Sequence, residues 1–195
     1  MYHPFWYFLG STLAEIPYVI IRVIVFTAIY YPFVGFKGAK QGTLFGLYLA
    51  LMVLMQTYLG QLFSYALPSM EIASLIGAMY NSITANYMGF NPPAAAIPKG
   101  LKWLYYIAPQ RYALSNLIAV VFTDCSSPSG SEVGCQPLTR APLQVGQVTI
   151  KQYVENNFRM EYDDLFTNAM VTIGCIIGFR LLALISLMFI NHQKR

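Results

Sequence analysis

The sequence predicts an all-α, polytopic membrane protein with four transmembrane helices, and three observations carry the prediction. Only 10% of its 195 residues are Asp, Glu, Lys or Arg, against about 25% in an average soluble domain. The hydrophobic fraction is 56% and the mean hydropathy +0.50. Apolar runs long enough for about 30 Å of hydrocarbon, which takes about 20 helical residues, recur along the chain and are separated by Gly, Pro, Asn and Lys. The missing charge weighs most, because a chain of about one domain's length exposes too much surface to stay dissolved with so little. The net charge of +4 sits mostly at element ends. It forms no dense basic patch of the kind nucleic-acid binding needs, so the expected partner is the lipid bilayer and not nucleic acid.

The first span covers about Phe5 to Phe36, is densest from Ile16 to Val34, and stops at Gly35-Phe36-Lys37-Gly38. Ahead of it, Met1-Tyr2-His3-Pro4-Phe5-Trp6 has no basic leader and no small-residue cleavage site, so it does not read as a signal peptide. The chain enters apolar sequence at once, as a segment of a longer protein would. The second span runs from about Thr43 to Leu67 and is closed by Pro68. The third runs from about Glu71 to Phe90 and is closed by Asn91-Pro92-Pro93. The last runs from about Leu165 to Ile190 and ends in His192-Gln193-Lys194-Arg195.

Residues 91–164 are different in character. They hold the aromatic patch Trp103-Leu104-Tyr105-Tyr106, a moderately apolar stretch from Ala113 to Phe122, a Gly/Ser/Pro-rich loop from Asp124 to Gln147, and the charged stretch Lys151 to Asp164. Ala113–Phe122 is too short to cross a bilayer. It is expected to be a re-entrant or interfacial helix, with Trp103, Tyr105 and Tyr106 at headgroup depth, where amphipathic rings prefer to sit.

Lys194 and Arg195 directly after the last span favour a cytoplasmic C-terminus. Four spans then place the N-terminus inside as well and residues 91–164 outside. Lys37 and Lys40 argue mildly the other way, since they would fall on the outer side. Cys125 and Cys135 flank a Ser/Pro/Gly turn. Disulfides form in oxidising compartments, so a bridge here agrees with an external loop; the alternative is two free thiols on a cytosolic one. Cys175 lies within the last span and is expected to pack as a small apolar residue.

Several stretches recur in a definite order: Leu13-Ala14-Glu15-Ile16-Pro17-Tyr18, Ile29-Tyr30-Tyr31-Pro32-Phe33-Val34-Gly35-Phe36, and Ala66-Leu67-Pro68-Ser69 with Glu71-Ile72-Ala73. Next come Met88-Gly89-Phe90-Asn91-Pro92-Pro93, Ile97-Pro98, and Trp103-Leu104-Tyr105-Tyr106-Ile107-Ala108-Pro109-Gln110-Arg111-Tyr112-Ala113-Leu114. With Asp124-Cys125, Tyr153 and Gly178-Phe179-Arg180, this order resembles the transmembrane domain of ATP-binding cassette exporters of the G subfamily, pleiotropic drug resistance type. The resemblance runs the length of the chain and rests on order and spacing, not on one diagnostic motif.

The resemblance implies that residues 1–195 are a partial ABC-2 type transmembrane domain: the third to sixth spans of six. The first two spans and the nucleotide-binding domains would lie outside it, and a second transmembrane domain would be its symmetric or pseudo-symmetric partner. Its implied function is the permease segment of an ATP-driven exporter in the plasma membrane, moving hydrophobic or amphipathic small molecules or lipids. No G-x-x-x-x-G-K-[ST] phosphate loop occurs. The chain is therefore not expected to be an enzyme itself, and ATP and magnesium are expected at the absent nucleotide-binding domains.

Three charges fall well inside the spans, and Glu71 stands at the start of the third. Glu15 and Arg22 lie two turns apart on one face of the first span, about 10 Å along its axis. A charge at the membrane centre costs about 2.5–3.5 kcal/mol on insertion scales, so each is expected to pair with another helix or with an absent span. Arg180 lies about 15 Å along the axis from Ile190 and has the length to snorkel part of the way to the cytoplasmic face. The third span is rich in small and polar residues, Ser74, Gly77, Ala78, Asn81, Ser82, Thr84, Ala85 and Asn86. They suit close helix packing, and in the resembled family the corresponding helix lines a central cavity. On that reading Asn81, Ser82 and Ala85 are cavity candidates. Phe90 falls at the outer valve, although Asn91 stands where the family's second apolar valve residue would be.

The histidines, His3 and His192, are terminal, so neither a metal site nor a Ser/His/Asp or Cys/His catalytic group is expected. The main alternative is a free-standing four-span scaffold or interaction protein with a disulfide-bonded external loop. A membrane-embedded enzyme is a weaker one, since Glu15 and Glu71 are the only acids in or near the spans.

Overall fold

A computed structural model describes residues 4–36, 38–125, 132–138 and 148–189. His3, Lys37, His192, Lys194 and Arg195, on which part of the metal and orientation reasoning rests, lie outside the described residues.

The three longest apolar runs form the three helices long and apolar enough to cross a membrane. They are α1 (Pro4–Phe33), α2 (Ala39–Ala66) and α7, the last long helix (Leu165–Phe189). At 1.5 Å per residue, the 30 residues of α1 reach about 45 Å. The expected third span forms α3 (Met70–Tyr87), whose 18 residues reach about 27 Å. Glu71, Ser74, Asn81, Ser82, Thr84 and Asn86 keep it less apolar than the other three. Between α3 and α7 come α4 (Lys102–Ile107), α5 (Pro109–Phe122) and α6 (Ile150–Phe158), with three single-turn 3-10 helices. Among the described residues there is no strand, only an isolated bridge between Pro137 and Thr149.

Prolines and caps set the breaks. Leu67 takes an extended conformation at the end of α2, because the ring of Pro68 disfavours the helical region for the residue before it. Ser69 then caps α3 by accepting from the Ile72 amide at 3.3 Å. Pro109 acts the same way on Ala108 and divides residues 102–122 into α4 and α5, itself occupying the first turn of α5. A reciprocal Thr149–Gln152 capping box starts α6.

The helices assemble around α2, which packs against α1, α3, α5 and α7. One apolar cluster joins Phe45 of α2 to Leu117, Val120 and Val121 of α5 and Leu165 of α7. A second joins Met55 and Tyr58 of α2 to Ala113 of α5 and Ile176 of α7. The short helix α5 is too short to span and lies in the protein core, with Ala119 and Val120 fully buried; this departs from the interfacial alternative and is compatible with the re-entrant one. Its Ala and Ser residues let neighbouring backbones approach closely, a property that hydropathy does not register.

The aromatic patch also divides. Trp103 and Tyr106 are exposed, whereas Tyr105 is 4% exposed and packs with Ala94 and Ile97. Gly89 makes room for it. Its φ is +86°, and a Cβ there would stand 2.5 Å from the Tyr105 ring. Burial holds the Tyr105 hydroxyl above its ordinary pKa, with the Arg111 charge pulling the other way.

Ala119→Leu should therefore overpack the α2–α5–α7 junction at a cost of about 1–3 kcal/mol. Thermal unfolding of the detergent-extracted full-length protein, followed by size-exclusion fluorescence, should show a lowered midpoint; an unchanged midpoint would place α5 outside the core.

Candidate functional site

Three spanning helices meet in one polar network. Thr12 and Glu15 lie one turn apart on α1, Gln61 lies near the end of α2, and Arg180 lies within α7. The Arg180 guanidinium donates from Nη1 to Gln61 Oε1 and from Nη2 to Thr12 Oγ1. Gln61 in turn donates from Nε2 to Glu15 Oε1. The flat guanidinium is sandwiched by two rings, 4.3 Å from the Phe8 centroid and 4.2 Å from the Tyr58 centroid. The opposite charges do not touch; the Gln61 amide relays between them. Glu15 Oε2 and Arg180 Nε are buried without a hydrogen-bond partner. Arg180 is 8% exposed, so it turns inward instead of snorkelling along α7. At its depth two acceptors and two aromatic faces are within reach, and lipid offers none of these.

Arg22 has a different environment from Glu15, although seven residues bring a helix back to nearly the same face. The α1 side chains that pack inward, Phe8, Thr12, Val19, Val23, Thr27 and Tyr31, mostly step by four. Each such step rotates about 40° around a helix of 3.6 residues per turn, so the packed stripe winds away from Arg22. Glu15 stays beside α2, whereas Arg22 is exposed and has no hydrogen bond or ion pair among the described residues.

The second feature is α3. Ala73, Gly77, Tyr80 and Thr84 repeat at spacings of three and four, and these are its buried or half-buried positions. Phe63 of α2 packs on this side, edge-on to Tyr80 at 5.8 Å. A second face carries Ile72, Leu75, Ile76, Met79 and Ile83, all exposed. The third carries Ser74, Ala78, Ser82 and Ala85, also exposed, with Asn81 at its edge. Asn81 accepts from Gln110 Nε2 at 3.4 Å, and Gln110 is 2% exposed. Asn81 thus tethers α3 to the start of α5, whereas Ser82 and Ala85 are unobstructed.

Phe90 follows the end of α3 and is 54% exposed. Its ring stacks on Phe158 of α6 at 5.6 Å and 22°, and Phe158 meets Tyr153 edge-on at 6.2 Å. The segment bearing α6 is itself tied down. Cys125 and Cys135 are bridged, with Cα atoms 5.3 Å apart, and Pro137 pairs with Thr149 just before α6. Closing a loop of this length contributes about 3 kcal/mol through the restricted unfolded state. Glu132 lies at metal-ligand spacing from both sulfurs, but these are joined to each other.

Residues 1–122 match the sequence profile of ABC-2 type transporters. The chain belongs to the ABC-2 type transporter family. Along its whole length it is 26% identical to ABC transporter G family member 35 of Arabidopsis thaliana, and 28% identical to member 43 of the same plant. It is 25% identical to pleiotropic drug resistance protein 1 of Petunia hybrida. The chain spans 12% to 13% of the length of these relatives. It is an integral membrane domain, the permease part of a transporter and not the nucleotide-hydrolysing part. In ABC transporters ATP and magnesium sit at the nucleotide-binding domains, and this membrane domain has no phosphate loop with which to hold them.

Thr12, Gln61, Tyr58 and Gln110 were not singled out from sequence. The available signals were an amide inside an otherwise apolar run, for Gln61, and the Pro109-Gln110-Arg111 block, for Gln110.

Removing Arg180 takes the donors from Gln61 Oε1 and Thr12 Oγ1 and the nearby positive charge from half-buried Glu15. Arg180→Leu should cost about 3–5 kcal/mol and lower the yield of folded full-length transporter. Arg180→Lys should recover only part of it, because an ammonium cannot fork to two acceptors. Quantitative size-exclusion of extracted protein measures both. A leucine variant as abundant and heat-stable as wild type would show that the network contributes nothing to folding.

Proposed function

We propose that this ABC-2 domain is the permease segment of an ATP-driven exporter, moving hydrophobic or amphipathic small molecules or lipids between itself and a second transmembrane domain. The observation that supports it is the three-way division of α3. One face packs on α2, one is bulky and apolar and suits lipid, and one is small and exposed and packs on no helix among the described residues; Ser74 on it donates to the Glu71 carbonyl and Asn81 accepts from Gln110, which leaves the Ser82 hydroxyl. Lipid cannot satisfy hydroxyls and amides, so the third face calls for water, another helix or a polar part of a substrate. Ser82 and Ala85, with Asn81 at the margin, then line the translocation cavity, and α3 counts as a fourth span.

Phe90 forms the outer constriction in this reading. It sits just beyond the cavity face, is exposed, and is braced from behind by Phe158. Two copies facing each other across a dimer axis would close an apolar path by excluding water. The pleiotropic drug resistance relative in petunia supports a broad, hydrophobic substrate class. The family match also favours a permease over a free-standing scaffold.

The orientation that accompanies this function puts both termini in the cytoplasm, residues 91–164 outside the cell and the protein in the plasma membrane. Single-cysteine variants at Ser129 and Gln193, both outside the described residues, test it with an impermeant thiol reagent added from outside. Ser129→Cys should label and Gln193→Cys should not; the reverse pattern would invert the topology.

The constriction has its own test in the full-length transporter. Phe90→Ala should change substrate flux or uncouple ATP hydrolysis from it. Phe63→Ala, at the α2–α3 contact, should act through folding yield alone. If Phe90→Ala lowers yield while transport per folded molecule and coupling stay at wild-type values, Phe90 is a packing residue and the valve lies elsewhere.

A further inference from the structure

We propose that the guanidinium groups of Arg111 and Arg159 form an anion-binding site beside Phe90, which takes the carboxylate, sulfonate or phosphate end of an amphipathic solute on its way past that ring. The inference rests on the reading of this domain as a permease and deepens it by naming the class of solute.

Arg111 belongs to the first turn of α5, and its guanidinium lies among three rings. It is 3.9 Å from the Tyr105 centroid and 5.0 Å from those of Tyr106 and Tyr112. Rings engage the faces of a guanidinium and leave its in-plane N–H groups for an acceptor. Arg159 comes to the same place from a different element. It ends α6 in the left-handed region, with φ 54° and ψ 46°, directly after Phe158, whose ring stacks on Phe90. Gly89, the residue before Phe90, lies against the Tyr105 ring. Helix α6 also packs on the turn at Ala94–Ala96, and Ala94 packs on Tyr105. The positive charges that act on the Tyr105 hydroxyl are those of Arg111 and Arg159, and no carboxylate acts on it.

Two like charges converging on one hydroxyl call for a counter-ion, and the described residues supply none. From Ile72 to Thr123 the sequence has no Asp or Glu, while Lys99, Lys102 and Arg111 all fall in that run. On the α6 side, Glu155 is paired with Lys151 at 3.8 Å. Glu161, Asp163 and Asp164 are exposed and make no ion pair with either guanidinium. Arg159 is itself exposed and Arg111 half-buried, so a solute can reach both. Forked N–H pairs are the geometry that carboxylates and phosphates match. The exposed rings of Phe90 and Tyr106 flank the pair. The same place therefore offers apolar contact, and the ligand it fits carries an anion on a hydrophobic body.

The test uses the purified full-length transporter and two fluorescent probes, dansylaminoundecanoic acid and its uncharged methyl ester. Dansyl fluorescence reads binding, and ATP-driven accumulation in phosphatidylcholine proteoliposomes reads transport. Wild type should bind the acid about tenfold more tightly than the ester. Arg159→Asn keeps a residue suited to the left-handed cap. It should raise the Kd of the acid about tenfold and leave that of the ester within about twofold of wild type. Arg159→Lys should recover most of the loss, and Arg111→Gln should reproduce it. If neither probe accumulates in wild-type vesicles while acid binding still responds to Arg159→Asn, the permease reading fails and the anion site stands. The inference is overturned if wild type binds acid and ester equally. It is also overturned if Arg159→Asn leaves acid binding unchanged or shifts both probes by the same factor, which would make Arg159 a packing residue. A third overturning result is that wild-type vesicles accumulate the ester and not the acid, which would make the occupant a resident anion. Displacement of the acid by phosphatidylglycerol or by inorganic phosphate then tells a lipid headgroup from a free ion.

Discussion

A guanidinium that cannot reach water holds the long helices of this domain in register. Arg180 is within hydrogen-bonding range of α1 through Thr12 and of α2 through Gln61, and its two faces are covered by Phe8 and Tyr58. In a soluble protein such a side chain can swing out to solvent. Here the alternative to these partners is hydrocarbon, so the relative depth of α1, α2 and α7 follows from where their polar atoms are placed. Interposing Gln61 between Glu15 and Arg180 spreads the pair over a neutral amide. The two charges are satisfied in part without being brought into contact, and the unpaired Glu15 Oε2 and Arg180 Nε mark what the arrangement leaves uncompensated.

The same constraint sorts the remaining surfaces. Packing on α2 consumes one face of α3, and bulky aliphatic residues give a second that lipid tolerates. That leaves Ser74, Ala78, Ser82 and Ala85 as an exposed strip of small side chains, with Ser74 donating to the Glu71 carbonyl. On α1 the inward stripe steps by four and rotates, so that Glu15 is inside and Arg22 is not. Both exceptions are ordinary consequences of 3.6 residues per turn.

Hydropathy made α1, α2 and α7 legible, because a run of apolar residues of sufficient length has few other uses, and Pro68 marked where α2 must stop; α3 ends at Tyr87, ahead of Gly89 with its φ of +86° and short of the expected Phe90. The family was legible in the order of short motifs. Ala113–Phe122 was legible as a helix too short to span, but its packing against α2 and α7 was not, because those partners lie far away along the chain. Nor were the partners of Arg180. Thr12 and Gln61 lie 168 and 119 residues away along the chain, and a single sequence gives no means of pairing such distant positions. Asn81 reads as a cavity residue from its neighbours; only the fold brings Gln110 against it.

Beyond the core, short links join the ends of several helices. Gln41, at the start of α2, donates to Asp124 at 3.0 Å, one residue before the Cys125–Cys135 bridge that closes the end of α5. The bridge leads through Pro137 and Thr149 into α6, and α6 presents Phe158 to the ring of Phe90 beyond the end of α3. Displacing Phe90 therefore means breaking its stack on Phe158 or moving α6, which the disulfide and the Gln41 contact hold to α5 and α2. At its other side α3 is tied to α5 again, by Asn81 and Gln110. The Asn81–Gln110 bond thus ties α3 directly to α5, and the Phe90–Phe158 stack ties the segment after α3 to α6.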